Sequence, residues 1–418
     1  MAVLTAAQLR ARLGARMADL RQLATYLAAR VVPALASMAL TFLCIHTLSP
    51  ADYGRYSLTL LPAGVVASLV GSLSAQAMLR YAHEMSPAGL RFGRLWFPLA
   101  ASLAVGPLVL AYLAWSVGLS AAAFAAVGLV PLVALMDTRR SFFVARGRAG
   151  SVFALDVWRA AAALLIAWCL FAAAGARAEV PLLAQGLSMA LVLLFVRPVI
   201  EVAAGSGRRE VDRHYLRYGL WFAGWVAVIG VFALAERSVV ERVAGLAASG
   251  RYAAQADVIN AVFAATGAAL ASALMPRYLA LASAPRGPAA ARSMRRLLLL
   301  GLAGTAATAM LCVLMGAAVG AIGIGKISAA LIADVPTALA LVAAGAVWAA
   351  AGFFQKPLEL SGQTRLTFAA SAIALLLFLA IGPALGRALG PLGVALAKLA
   401  AGLGFVLLVV LATRRVSA

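Results

Sequence analysis

Hydrophobic positions in this chain come in long unbroken runs separated by short polar segments, without the alternation that marks half-buried strands. Twelve runs reach the roughly 17–25 residues needed to cross a hydrocarbon core as a helix. They fall at 24–47, 57–78, 95–117, 121–137, 152–175, 181–202, 218–240, 252–275, 297–320, 336–355, 366–385 and 392–412. The pattern predicts an all-α integral membrane protein with about twelve transmembrane helices. A membrane-spanning barrel would need short alternating segments, and these are missing. Ahead of the first run, Leu9, Leu13, Met17 and Leu20 share one helical face flanked by Arg10, Arg12, Arg16 and Arg21. Residues 1–23 therefore read as an interfacial helix on the cytoplasmic surface.

Composition agrees: 64% of the 418 residues are hydrophobic and 12% are charged, about half the charged share of a soluble domain. The net charge of +21 would suggest nucleic acid in a soluble protein. Its placement removes that reading. Connections on the side of the N-terminus hold 24 Lys and Arg residues, and those on the opposite side hold 7 when Arg237, near the outer end of its span, is counted with them. Basic residues stay on the cytoplasmic side, so both termini are expected there and no nucleic-acid partner is needed. The cytoplasmic arginines, among them Arg292, Arg295 and Arg296, have a secondary use in gathering membrane lipids with anionic headgroups.

A repeat organises the twelve spans. Gly54-Arg55-Tyr56, after the first span, recurs as Gly250-Arg251-Tyr252 after the seventh; Arg80-Tyr81 after the second recurs as Arg277-Tyr278. Between these marks Gly64, Ser68, Ser72 and Gln76 form a small or polar stripe, matched by Asn260, Ala264, Ala268 and Ser272. Each half holds six spans, so both enter from the same side. Parallel repeats of this kind form two lobes around a central cavity and belong to transporters. The expected division is a lobe at 24–202, a cytoplasmic linker at 203–217, a lobe at 218–412 and a tail at 413–418. The linker reads as flexible and solvated on its Gly205, Gly207 and charges. Within the first landmark, Pro50 and Gly54 read as helix breakers, Asp52 as a cap, and the Arg-Tyr pair as a headgroup anchor.

"LSPADYGRYSL" (48–58) resembles the Lx-P-x-(D/E)-Y-G-x-Y segment of the polysaccharide and lipid-linked oligosaccharide flippases, the O-antigen and capsule branch of the multidrug/oligosaccharidyl-lipid/polysaccharide exporter superfamily. "AERSVVERVAGLAASGRYAAQA" (235–256) is similar to that family's passage from span 7 to span 8, with Glu236-Arg237 in place of Asp-Arg. The resemblance implies a bacterial inner-membrane flippase with two six-helix lobes. It implies alternating access for an undecaprenyl-pyrophosphate-linked oligosaccharide and a cationic cavity. It also implies partnership with polysaccharide polymerase and chain-length proteins, no cofactor beyond a coupling H⁺ or Na⁺, and function as a monomer.

Ionisable groups inside spans mark functional positions or buried pairs. Arg30, Arg159, Arg237 and Lys398 are the candidates for a cationic cavity. Arg30 shares a face with Ser37 and Thr41, yet sits near enough to the span end to snorkel. Arg159 has Asp156 three residues before it as a helical partner. Lys398 lies about 10 Å beyond Pro391 at 1.5 Å per residue, so it either lines a cavity or snorkels outward. Glu236, Asp257 and Asn260 are candidates for ion pairs or conformational coupling, Asp257 with Arg237 or Arg251. Cys44, Cys169 and Cys312 lie inside apolar runs and are expected as isolated packed thiols, with no metal site. A cation-coupled multidrug exporter of the same superfamily is the alternative, but spans 1 to 3 hold no Asp or Glu. A membrane glycosyltransferase or ligase is disfavoured because no outer connection exceeds 15 residues.

Overall fold

The computed structural model describes residues 31–81, 86, 89, 91–116, 118–146, 148–196, 213–282, 288–323, 325–332, 334–360 and 363–417. Among them there are no strands. The first half comprises α1 (Val31–Thr47), α2 (Pro50–Tyr81), α3 (Phe92–Ser116, opening in a π-helical turn), α4 (Ala121–Ala145), α5 (Ala149–Ala174) and α6 (Glu179–Phe195). The second comprises α7 (Arg213–Ala244), α8 (Leu246–Ala282), α9 (Pro288–Ile322), short α10 (Gly325–Ile332), α11 (Val335–Phe354), short α12 (Lys356–Leu360), α13 (Thr364–Leu389) and α14 (Pro391–Ser417). Over the described residues, each of the twelve expected spans overlaps one helix among α1–α9, α11, α13 and α14. Among the described residues nine of these are long and apolar enough to cross a membrane by themselves, α1 and α6 are shorter apolar helices, and α8 is the twelfth.

The helix ends follow local chemistry. Ser49 precedes α2, accepts from the Asp52 amide at 3.1 Å and donates its hydroxyl to the Asp52 carboxylate at 2.6 Å. Ser120 accepts from Ala123 N at the start of α4, and Asp334 from Thr337 N at the start of α11, which has proline in its first turn. These side chains take up amides that the first helical turn leaves without partners. Between α7 and α8 the chain reverses in one residue, Gly245, at φ +82°. That conformation is cheap for glycine alone.

The two halves pack by one scheme. In the first, α4 touches α2, α3 and α6, and α5 touches α6; in the second, α11 touches α8, α9 and α14, and α13 touches α14. The two-lobe plan expected from the repeat is thus the plan of the fold. Helix α2 joins the lobes by lying along both α7 and α8. Hydrocarbon gives apolar helices no solvent-driven reason to associate, so close backbone approach and polar contacts must supply the attraction. Gly54 and Gly250 show how close that approach is. A Cβ on Gly250 would lie 1.7 Å from the Pro50 carbonyl oxygen, and one on Gly54 would lie 2.5 Å from that of Leu246. The two repeated triplets meet each other at one end of the molecule. We call it the outer end, after the expected orientation, and the opposite end the basic end.

Several expectations change. The chain breaks at 48–49 and Pro50 opens α2, as expected of a proline, but Gly54 breaks nothing: it lies inside α2, facing α8. The cap is Ser49, with Asp52 supporting it. Arg213–Arg217, expected in the linker, already belong to α7, since no Gly or Pro intervenes between Arg208 and Tyr218 to stop a helix. Helix α14 likewise runs through the expected tail to Ser417. The interfacial helix at 1–23 and positions 203–212 lie outside the described residues.

Candidate functional site

Glu236 and Arg237 are consecutive in α7 and almost wholly buried, at 3% and 6% exposure. Neighbouring helical residues point about 100° apart, and these two serve different chambers. Arg237 turns to a cavity of 380 Å³ between the lobes, walled by α1, α2 and α5 on one side and α8 on the other. Glu236 turns to a cavity of 630 Å³ within the second lobe. Asn260 and Ala264 of α8 line both, so the chambers adjoin. Both residues belong to the small and polar stripe of span 8; the side chains of Ala268 and Ser272 lie outside the described residues.

In the interlobe chamber, Arg237 forms an ion pair with Asp257 and donates to Ser57 Oγ. Tyr53 donates to the other Asp257 oxygen at 2.8 Å. One carboxylate of α8 is therefore held by α7 from its own lobe and by α2 from the other. Nearby, Gln185 of α6 donates to the Tyr56 hydroxyl at 2.8 Å. Arg159 lines the same chamber, and its Nε is buried without a hydrogen-bond partner. The expected pairing of Arg159 with Asp156 does not form. Arg140, on the adjacent helix, reaches both Asp156 oxygens through Nε at 3.0 Å and also contacts Asp137 at 3.4 Å. A planar guanidinium that meets both carboxylate oxygens outcompetes a single i,i+3 contact.

In the second-lobe chamber, Lys398 of α14 bonds both Glu236 oxygens, at 3.0 and 2.9 Å. Tyr252 donates to the same carboxylate at 2.5 Å. Lys398 is 8% exposed, so it does not snorkel to a surface. Below this triad the wall is aromatic. Trp348 stacks on Phe405 at 5.4 Å between ring centres and meets Phe232 edge-on at 5.2 Å. Trp225 also lines the chamber, and its indole N–H is buried with no acceptor. The chamber continues to Gln355 and Lys356, where α11 ends on the basic side.

Tyr56 and Tyr252, expected as headgroup anchors, are turned inward at 8% and 2% exposure. Helix α2 packs against α8 at these triplets, so their tyrosines reach protein polar groups before they reach lipid. Arg55 and Arg251 do remain exposed. Arg30 lies outside the described residues, as do the side chains of Arg80 and Arg277. Of the cysteines, Cys44 is buried but Cys169 is exposed on α5, because that face of the helix points away from its neighbours. Among the described residues no group of His, Cys, Asp and Glu is arranged to hold a metal.

Sequence reasoning passed over Tyr53, Ser57, Gln185, Arg140 and Trp225. Tyr53 and Ser57 flank the Gly-Arg-Tyr landmark and share its helical face, and Gln185 is an amide inside an apolar run. Those positions carried the available signal.

No protein-family model matches this sequence, and no curated protein matches it. Solved structures do. A MOP superfamily transporter from Pyrococcus furiosus, described as having a binding pocket of reverse polarity that suggests a different function, aligns with a TM-score of 0.68 at 11% identity over 95% of both chains. The outward-facing form of a multidrug resistance MATE family transporter aligns at 0.66 and 12% identity, over 95% of both chains. The inward-facing form of a MATE family transporter aligns at 0.66 and 13% identity, over 94% of this chain and 98% of that one. The chain has the fold of the MOP superfamily transporters, all-α and two-lobed.

Proposed function

We propose that the chain is a bacterial inner-membrane flippase that moves an undecaprenyl-pyrophosphate-linked oligosaccharide to the outer leaflet by alternating access. The observation that carries this reading is the charge state of the cavity. Its two carboxylates, Asp257 and Glu236, are occupied by Arg237 and Lys398, while Arg159 lines the chamber with no direct bond to an acid. A pyrophosphate brings negative charge and several acceptor oxygens, and guanidinium is the side chain best matched to them. Arg159 is the residue we assign to that contact. The adjoining aromatic chamber, with Asn260, Gln355 and the free Trp225 N–H, offers flat apolar faces and scattered polar groups, which suit sugar rings. Coupling to H⁺ or Na⁺ and a link to polymerase and chain-length proteins belong to the same proposal.

A second reading rests on the aromatic wall and on the multidrug resistance function of the MATE-type structural relatives. An aromatic chamber beside Glu236 would attract a lipophilic cation if Lys398 released that carboxylate. A deletion strain separates the two. The flippase reading expects surface glycan to disappear and the lipid-linked oligosaccharide to be trapped in the cytoplasmic leaflet. It also expects rescue by the wild-type gene and not by Arg159→Ala. Unchanged glycan with new sensitivity to cationic dyes establishes the exporter instead.

A further inference from the structure

Outside both chambers, a third cavity of 470 Å³ opens between α9 and α11 with α8 as its floor. Val258, Ile259 and Val262 form the floor, and Val313 and Leu339 stand at the mouth with 40% and 50% exposure. Both wall helices are long and apolar enough to cross a membrane, and a mouth between two such spans faces hydrocarbon. Gly316 lines the groove and has open space where a Cβ would project. The one amide side chain in the lining, Gln255, is turned to the carbonyls of Ala330 and Leu331 at 3.4 and 3.2 Å. The remaining wall is apolar and offers nothing to a sugar or a peptide.

The groove does not end in apolar surface. One step further along α8 and α10 towards the outer end, a pocket of 440 Å³ is lined by Arg251 and Lys326 and by no acidic side chain. Neither cation makes an ion pair or side-chain hydrogen bond among the described residues, whereas Arg55 at the same end is held by Asp52 at 3.3 Å. From Arg251 to Val262 the helix rises about 16 Å. Half of a hydrocarbon core is about 15 Å.

We propose that this is a binding site for a resident anionic phospholipid. Its phosphate sits at Arg251 and Lys326, and one acyl chain descends between α9 and α11. The two cations select the headgroup charge, and the groove supplies the apolar contact that a free anion could not use. The site is distinct from the central cavity: the groove shares no lining residue with either chamber, Arg251 and Lys326 line neither, and of the headgroup pocket's lining only Tyr53 also faces the interlobe chamber.

Native mass spectrometry on the purified full chain tests this, with phosphatidylglycerol and phosphatidylcholine of identical acyl chains as probes. Wild type should retain phosphatidylglycerol preferentially. The Arg251→Ala/Lys326→Ala protein should lose about thirtyfold in that affinity, from the attraction of two surface cations to anionic lipid. Gly316→Leu should fill the groove and weaken both lipids, and Arg55→Ala should change neither. Variants are compared only where they elute as wild type does, and the groove and headgroup variants test the proposal separately. Equal retention of the two lipids by wild type overturns it, as does an unchanged phosphatidylglycerol affinity in the double variant. Displacement by inorganic phosphate alone would reduce the site to an anion pocket. Displacement by a polyprenyl pyrophosphate at equal concentration would make it a substrate site. Either result overturns the lipid assignment.

Discussion

Two adjacent residues of one helix anchor two ion pairs whose mechanical meaning differs. Arg237–Asp257 lies between the lobes and is bonded from α2 through Ser57 and Tyr53. Glu236–Lys398 lies inside the second lobe and is bonded only by helices of that lobe. A pair inside a rigid body stays intact whichever way the lobes rock. A carboxylate bonded from both lobes has to give up its far partner when they separate at that level. The interlobe pair is therefore built for conformational preference and the intralobe pair for stability, although the sequence places their α7 members side by side.

The largest effect expected is on the intralobe pair. Lys398→Ala leaves Glu236 buried without its counter-ion, which costs about 3–5 kcal/mol. It should show as early thermal unfolding and low yield in detergent. The double variant Lys398→Met/Glu236→Gln removes both charges and should recover most of that loss. A transport defect in Lys398→Ala alone thus reports folding and says nothing of substrate.

Steric change at the outer crossing comes next. Gly250→Val has no room beside the Pro50 carbonyl, so α2 and α8 must separate there. Cysteine labelling from the outer side at a position such as Tyr53 should rise several-fold, while helix content stays unchanged. The interlobe pair has a smaller effect of the same sign. Tyr53→Phe removes one hydrogen bond to Asp257, worth about 1 kcal/mol net. It should shift the lobe equilibrium about fivefold, as read by distance measurements between spin labels on the two lobes. Smallest of all, Arg159→Ala should leave thermal stability nearly unchanged, because its Nε bonds nothing, while lowering transport tenfold or more.

How much of this was legible in the sequence depends on whether a feature is periodic or relational. The twelve spans follow from apolar run length, and the two lobes follow from landmarks repeating at Gly54 and Gly250. Both are properties of one chain read in order. That those two glycines touch each other is a different kind of fact: equal spacing fixes their equivalence, not their distance from the axis that relates the lobes. The same limit explains Asp156. Its near neighbour in sequence, Arg159, looked like its partner, but Arg140 comes from another helix with better geometry. Lys398 and Glu236 lie 162 residues apart, and nothing local in either span announces the other. Buried tyrosines were misread for a related reason. An Arg-Tyr pair at a span end suits a headgroup layer, and only the crossing of α2 over α8 turns the tyrosine inward.

The most direct test of the central claim, that the cavity serves an anionic lipid-linked glycan, is equilibrium binding to the purified chain in lipid nanodiscs. Two probes are compared: a polyprenyl pyrophosphate carrying a short oligosaccharide, and a lipophilic cation such as tetraphenylphosphonium. The account predicts that the pyrophosphate binds at least tenfold more tightly and that Arg159→Ala removes most of that advantage without altering thermal stability. Tighter binding of the cation, with the pyrophosphate indifferent to Arg159→Ala, would contradict it.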